Sequence, residues 1–134
     1  MQKPQDPRIG KDLIAASAIP LVLAILDEGE SYGYAILKRI DELSEGAMEW
    51  TDGMLYPLLH RLERLGHVEA RWDSPPGGRR RRYYRITEGG RDALAEHRRQ
   101  WEVVAGALEN AWRSMRSAEL PRVFPPSSTQ GAEA

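Results

Sequence analysis

Apolar residues recur along this chain with a helical period three times before the period shortens. Leu13–Glu28 reads as a first helix, kinked or restarted at Pro20. Its second half, Leu21-Val22-Leu23-Ala24-Ile25-Leu26, is apolar on every side, which predicts burial between other elements. Gly29 ends it, and Ser31 is a cap for a second helix over Tyr32–Glu45. There Ile36, Leu37, Ile40 and Leu43 share one stripe, and Gly46 closes the helix. Thr51 or Asp52 caps a third helix, whose stripe is Leu55, Leu58, Leu59, Leu62 and Leu65. Its opposite face carries Tyr56, His60, Arg61 and Arg64. Pro57 is read near the first turn, where a missing amide costs least, and Gly66 ends the helix.

From Val68 the period drops to two. Val68, Ala70 and Trp72 alternate with Glu69, Arg71 and Asp73, the mark of a half-buried strand. Ser74-Pro75-Pro76-Gly77-Gly78 turns the chain, and Tyr84 and Ile86 alternate on the returning strand. Thr87 then caps a long fourth helix, Glu88–Arg116. The fold class expected is mainly α with a small β-hairpin wing: a winged helix-turn-helix followed by a long C-terminal dimerisation helix. Residues 1–10 read as a flexible arm, 11–87 as the winged domain, 88–116 as the dimerisation helix and 117–134 as a disordered, proline-rich tail.

Composition narrows the chemistry. The chain has 134 residues and a formal net charge of −1, so no global charge draws it to nucleic acid or anionic lipid. Cysteine is absent, which removes disulfides, thiol catalysis and cysteine-based zinc sites. The run Leu13–Leu26 is too short and too interrupted to span a bilayer. Asp27-Glu28-Gly29-Glu30 follows it where a secretory cleavage site needs small residues, so secretion is not expected and a cytoplasmic location is. No metal site or cofactor is expected, because His60, His67 and His97 lie on separate elements without ligand spacing. Nucleophile elbows and phosphate loops are missing too, which argues against an enzyme.

Local charge points the other way. Arg71, Arg79, Arg80, Arg81, Arg82 and Arg85 face only Asp73 in their window, a net +5 at a hairpin tip. Four consecutive arginines repel one another, and a phosphate backbone relieves that repulsion. Behind them stands a helix of the right size for a major groove. Thr51, Asp52, Gly53 and Met54 would lead it in, Tyr56 and His60 would reach bases or phosphates, and Arg61 and Arg64 would flank. Ser31, Tyr32, Tyr34 and Lys38 are candidate phosphate clamps, with Tyr34 equally open to a core role. An amphipathic core helix with a wet polar face is the plain alternative for the third helix. A winged helix that binds protein and not DNA is the alternative for the whole chain. RNA recognition is disfavoured, because no aromatic stacking platform is evident.

Three runs then resemble one family. They are Ser31-Tyr32-Gly33-Tyr34-Ala35-Ile36, Gly53-Met54-Leu55-Tyr56-Pro57-Leu58-Leu59-His60-Arg61-Leu62-Glu63, and Gly78–Tyr84 followed by Arg85-Ile86-Thr87-Glu88-Gly89-Gly90. Together they resemble the PadR family of bacterial transcriptional regulators over roughly Leu13–Met115. The resemblance implies a homodimeric repressor on a palindromic operator, released by a small-molecule effector.

The fourth helix points to a dimer independently. Leu94, Trp101, Leu108 and Met115 are seven apart, and His97, Val104 and Ala111 take the alternate seam. Leu21, Ile25 and Trp112 complete the expected dimer surface. The stripe can also pack back onto its own first helix. By resemblance, Trp101 is the helix-four tryptophan that faces its twin across a dimer pore and stacks planar aromatic compounds, with Ala24, Leu94 and Ala105 lining the pore. A tryptophan that only fills the dimer core is the other reading.

Overall fold

The computed structural model describes residues 8–118. Its elements are α1 (Lys11–Glu28), β1 (Ser31–Tyr32), α2 (Gly33–Ser44), α3 (Asp52–Arg64), β2 (Val68–Asp73), β3 (Arg81–Ile86) and α4 (Glu88–Ala118). The wing is not a lone hairpin. β1 joins it to make a three-stranded antiparallel sheet in the order β1-β3-β2.

Pro20 does not restart the first helix, and α1 runs through it. The proline leaves the carbonyl of Ala16 without its helical donor, at roughly 3 kcal/mol. Beyond it Val22, Leu23, Ile25 and Leu26 are all buried, each contributing roughly 1.5–3 kcal/mol. Burial wins. These side chains form the core with Ile36 and Ile40 of α2, Leu55, Leu59 and Leu62 of α3, and Val68, Tyr84 and Ile86 of the sheet. Ile25 therefore serves the core of its own chain, which corrects its assignment to a dimer surface.

Ser31 does not cap α2. It pairs with Tyr84 across β1 and β3, and Tyr32 pairs with Tyr83. Sheet pairing takes up this backbone, so α2 starts one residue later, with Tyr32 extended at its cap position and no side-chain cap. Thr51 does stand at the cap position of α3, again without a side-chain cap bond. Pro57 falls in the second turn of α3, where it is exposed and water can serve the orphaned carbonyl of Gly53. The stripe ends early: Leu65 is 54% exposed at the end of α3, as is Leu43 of α2 at 47%.

Thr87 fastens the start of α4 as expected. Its Oγ1 accepts from the Gly90 amide at 3.0 Å and donates to the Gly66 carbonyl at 2.6 Å. Gly90 sits so close to the chain at His67 that a Cβ would meet the His67 carbonyl oxygen at 2.1 Å. Arg39 clamps α2 to the end of α1 with two hydrogen bonds to Glu28, at 3.0 and 2.9 Å. The Glu28 carboxyl is consequently held below its usual range.

The chain divides into two compact units, residues 1–98 and 99–134. The first holds every other element and the start of α4. Within the second, α4 runs on to Ala118. Its Val103, Val104, Leu108, Trp112 and Met115 are between 43% and 62% exposed, and Trp101 is half-buried. The expected N-terminal arm lies outside the described residues as far as position 7, and the expected tail lies outside them from position 119.

Candidate nucleic-acid interface

The two β-strands of the wing pair from Val68↔Ile86 to Asp73↔Arg81, placing Trp72 opposite Arg82. Past Ala70 no residue of β2 packs with the core, and Trp72 is 51% exposed. This corrects the expectation that Trp72 continues the buried face of the strand. Exposed does not mean idle. The Arg80 guanidinium lies 4.6 Å from the Trp72 ring and that of Arg82 lies 5.5 Å from it. Arg81 stacks 4.5 Å over Tyr32, and the Tyr32 and Tyr83 rings meet edge-on at 5.5 Å. Planar guanidinium groups on rings hold a charged wing in shape.

The +5 counted along the sequence is partly neutralised inside the protein. Arg71 grips Glu30 through two hydrogen bonds, at 2.8 and 2.7 Å, and reaches Asp73 at 3.2 Å. The Arg71 bonds hold the Glu30 carboxyl below its usual range. Arg85 pairs with Glu69 and Arg82 with Glu63. Arg79, Arg80 and Arg81 have no carboxylate partner among the described residues and carry the outward charge.

A cleft of about 910 Å³ opens where the wing, the start of α2 and the polar face of α3 meet. Tyr32, Tyr34, Tyr56, His60 and Arg79–Arg82 all line it, so eight of the sequence-derived candidates converge. Tyr34 is 69% exposed, which decides its open reading against a core role. Gly33 lines the cleft too, and the Tyr56 hydroxyl occupies the space a side chain there would need. Tyr84 closes the floor. Burial pushes its phenol up, an effect Arg82 partly offsets.

The remaining candidates lie elsewhere on the first unit. Thr51, Met54 and Arg61 line a second groove, of about 990 Å³, together with Arg8, Lys11, Ile14 and Ala18 of the N-terminal side. Asp52 and Gly53 are exposed in the first turn of α3, Arg64 in its last, Lys38 on α2, and Ser31 is half-buried in β1. Sequence reasoning missed Trp72, Tyr83, Glu30 and Glu63. The pairing of Trp72 with Arg82 is the signal that would have found two of the contacts. Of the expected ligand and dimer residues, Leu94 packs half-buried against the core, Leu21 does likewise, and Ala24 is exposed. Ala105 is exposed on α4.

A groove-sized helix, a shorter helix packed across it and a basic hairpin on one shared core define a winged helix-turn-helix, a class built to dock on duplex DNA. The chain belongs to the transcriptional regulator PadR-like family, whose profile matches residues 22–96, more than half its length. It is 45% identical over 64 residues to the transcriptional regulator Rv3488 of Mycobacterium tuberculosis, covering 48% of this chain and 59% of that protein. A transcriptional regulator from Clostridium thermocellum superposes with a TM-score of 0.68 at 29% identity, covering 75% of this chain and 97% of the other. A PadR family transcriptional regulator from Eggerthella lenta superposes at 0.63 with 33% identity, covering 75% and 86%. The chain is thus a transcriptional regulator and not an enzyme. No helix among the described residues is long and apolar enough to cross a membrane.

Proposed function

We infer that the protein is a homodimeric, cytoplasmic repressor that binds a palindromic operator and leaves it when a small molecule binds. The observation that carries the DNA half is the cleft. It gathers aromatic rings, a histidine and three unneutralised arginines beside the exposed face of α3. In this reading α3 enters a major groove with Thr51, Asp52, Gly53 and Met54 leading and His60 and Tyr56 reading or clamping. The wing then lies on the flanking backbone.

The dimer reading is supported by the exposed apolar residues of α4, spaced so that Val104, Leu108 and Met115 fall on one seam with Trp101. Such a row on a long helix is stable in water only when covered. In this reading a planar aromatic effector stacks between two copies of Trp101.

Lys38, Arg64, Arg79, Arg80 and Arg81 have no carboxylate partner among the described residues. If each meets one phosphate in each subunit, the logarithm of affinity falls against the logarithm of salt with a slope of about −9. Capture of genomic fragments by the purified protein, followed by sequencing and salt titration, tests this. A palindromic consensus and a steep slope are expected; a monomer indifferent to duplex at low salt refutes it. Quenching of tryptophan fluorescence by planar aromatics, abolished in Trp101→Ala, tests the effector site.

A further inference from the structure

The four consecutive wing arginines do not share one environment. Arg79 and Arg80 are exposed, whereas Arg81 and Arg82 are half-buried. Arg82 faces back into the protein. Its Nη2 donates to Glu63 Oε2 at 3.0 Å, joining β3 to α3 across 19 positions. Its guanidinium also lies 5.5 Å from the Trp72 ring and 5.9 Å from the ring of the fully buried Tyr84. Its Nε is shut off from solvent. The Arg82 and Glu63 side chains are 32% and 35% exposed, against about half or more for the Arg85–Glu69 pair further along the same strand. Salt therefore screens this pair less.

A phosphate that recruited Arg82 would compete with that carboxylate for the guanidinium and weaken a half-buried pair. We propose that Arg82 and Glu63 form a strut that fixes the angle between the wing and the reading helix, so that Arg82 is a positioning residue and not a phosphate grip. This rests on the DNA-binding reading and refines it. Gripping falls to Arg79, Arg80 and Arg81. The sequence Arg79–Arg82 is thus a three-residue grip followed by its own anchor.

Glu63→Gln decides between strut and masked grip by sign. If Glu63 only masks a fourth phosphate contact, neutralising it frees Arg82, and binding becomes tighter and more salt-dependent. If the pair is a strut, binding weakens about tenfold at an unchanged salt slope. Lysine gives a second discrimination, because it can hold a phosphate but lacks the planar fork that stacks on Trp72. Arg79→Lys, at a position with no ring or carboxylate contact among the described residues, should bind near the wild type, while Arg82→Lys should fall with Arg82→Ala. Arg80→Ala should flatten the slope by about 0.9 per subunit, and Arg82→Ala should not.

The measurement is anisotropy titration of a labelled operator duplex with the full chain at several salt concentrations, with thermal unfolding of each variant alongside. Tighter binding by Glu63→Gln, a flatter slope for Arg82→Ala, or wild-type binding by Arg82→Lys overturns the strut. Should Arg82→Ala fail to fold, the near-isosteric Glu63→Gln still decides. A wild type that binds no duplex overturns the DNA-binding reading itself, a distinct outcome.

Discussion

The hydroxyl of Tyr56 fills the space above Gly33: a Cβ built on that glycine would lie 2.1 Å from Tyr56 Oη and 2.7 Å from Cζ. One contact thus seats α3 across the start of α2 and holds Tyr34 and Tyr56 on the same cleft. Gly33→Ala should destabilise the protein by about 1–3 kcal/mol, the usual cost of overpacking. Gly33→Ala with Tyr56→Phe should recover part of that loss, as read from the midpoint of thermal unfolding.

Two other glycines should respond in opposite directions. At Gly90 the obstacle is the His67 carbonyl, backbone that cannot swing aside, with Ile86 Cγ1 at 2.7 Å. Gly90→Ala should cost at least as much as Gly33→Ala. Gly106 lies within α4, and a Cβ there would have nothing within 4 Å. Gly106→Ala should stabilise α4 by about 0.5–1 kcal/mol, through the better helix propensity of alanine. Denaturant titration of both variants checks the pair.

Trp72 should matter to binding more than to folding. It is half-exposed yet serves as the platform for Arg80 and Arg82. An exposed cation–π stack is worth about 0.5–1 kcal/mol. Trp72→Ala removes the ring beneath both guanidinium groups and should weaken operator binding about tenfold. Its unfolding midpoint should fall by only a few degrees, the loss of two exposed stacks. His60→Ala should instead change which sequences are preferred. A genomic capture that returns the same consensus would remove His60 from the readers.

Acid should loosen the join between β1 and the wing. Arg71 and Arg39 hold the Glu30 and Glu28 carboxyls below the ordinary value of 4.5. Depressed folded values mean that the stabilisation is present above 4.5 and fades as pH falls through the folded values. Glu28 is half-exposed and Glu30 about a third exposed, so the effect is modest and weakened by salt. Glu30→Gln should melt slightly earlier than the wild type at pH 7, and the two curves should converge as the pH falls below the lowered Glu30 value. A gap that persists unchanged in acid would show that the ion pair is not its source.

Much of this was legible in the order of residues. The stripes Ile36–Ile40 and Leu55–Leu59–Leu62 set two helices, because burial at helical spacing needs no knowledge of the partner. The change of period at Val68, and the glycine pair before Arg79, set the hairpin. Tyr32, Tyr56, His60 and the four arginines were identifiable as polar or aromatic groups on faces that the core does not use, whereas Tyr34 stayed open between that face and the core until its 69% exposure decided it. Other features were not legible. Ser31 reads as a helix cap, and only its pairing with Tyr84 makes it a strand. Trp72 reads as a buried strand residue, and only its place past the last β2 residue that packs with the core exposes it.

Local pattern alone therefore determined the four helices, the hairpin, their order and the presence of a basic wing behind a groove-sized helix, since period and turn chemistry act between neighbours in the chain. The tertiary structure decided how that charge is used. Whether an arginine is outward charge or internal strut depends on a carboxylate brought within 3.0 Å from 19 residues away. Coulomb energy falls with distance in space, and nothing in the spacing of residues along the chain encodes that distance.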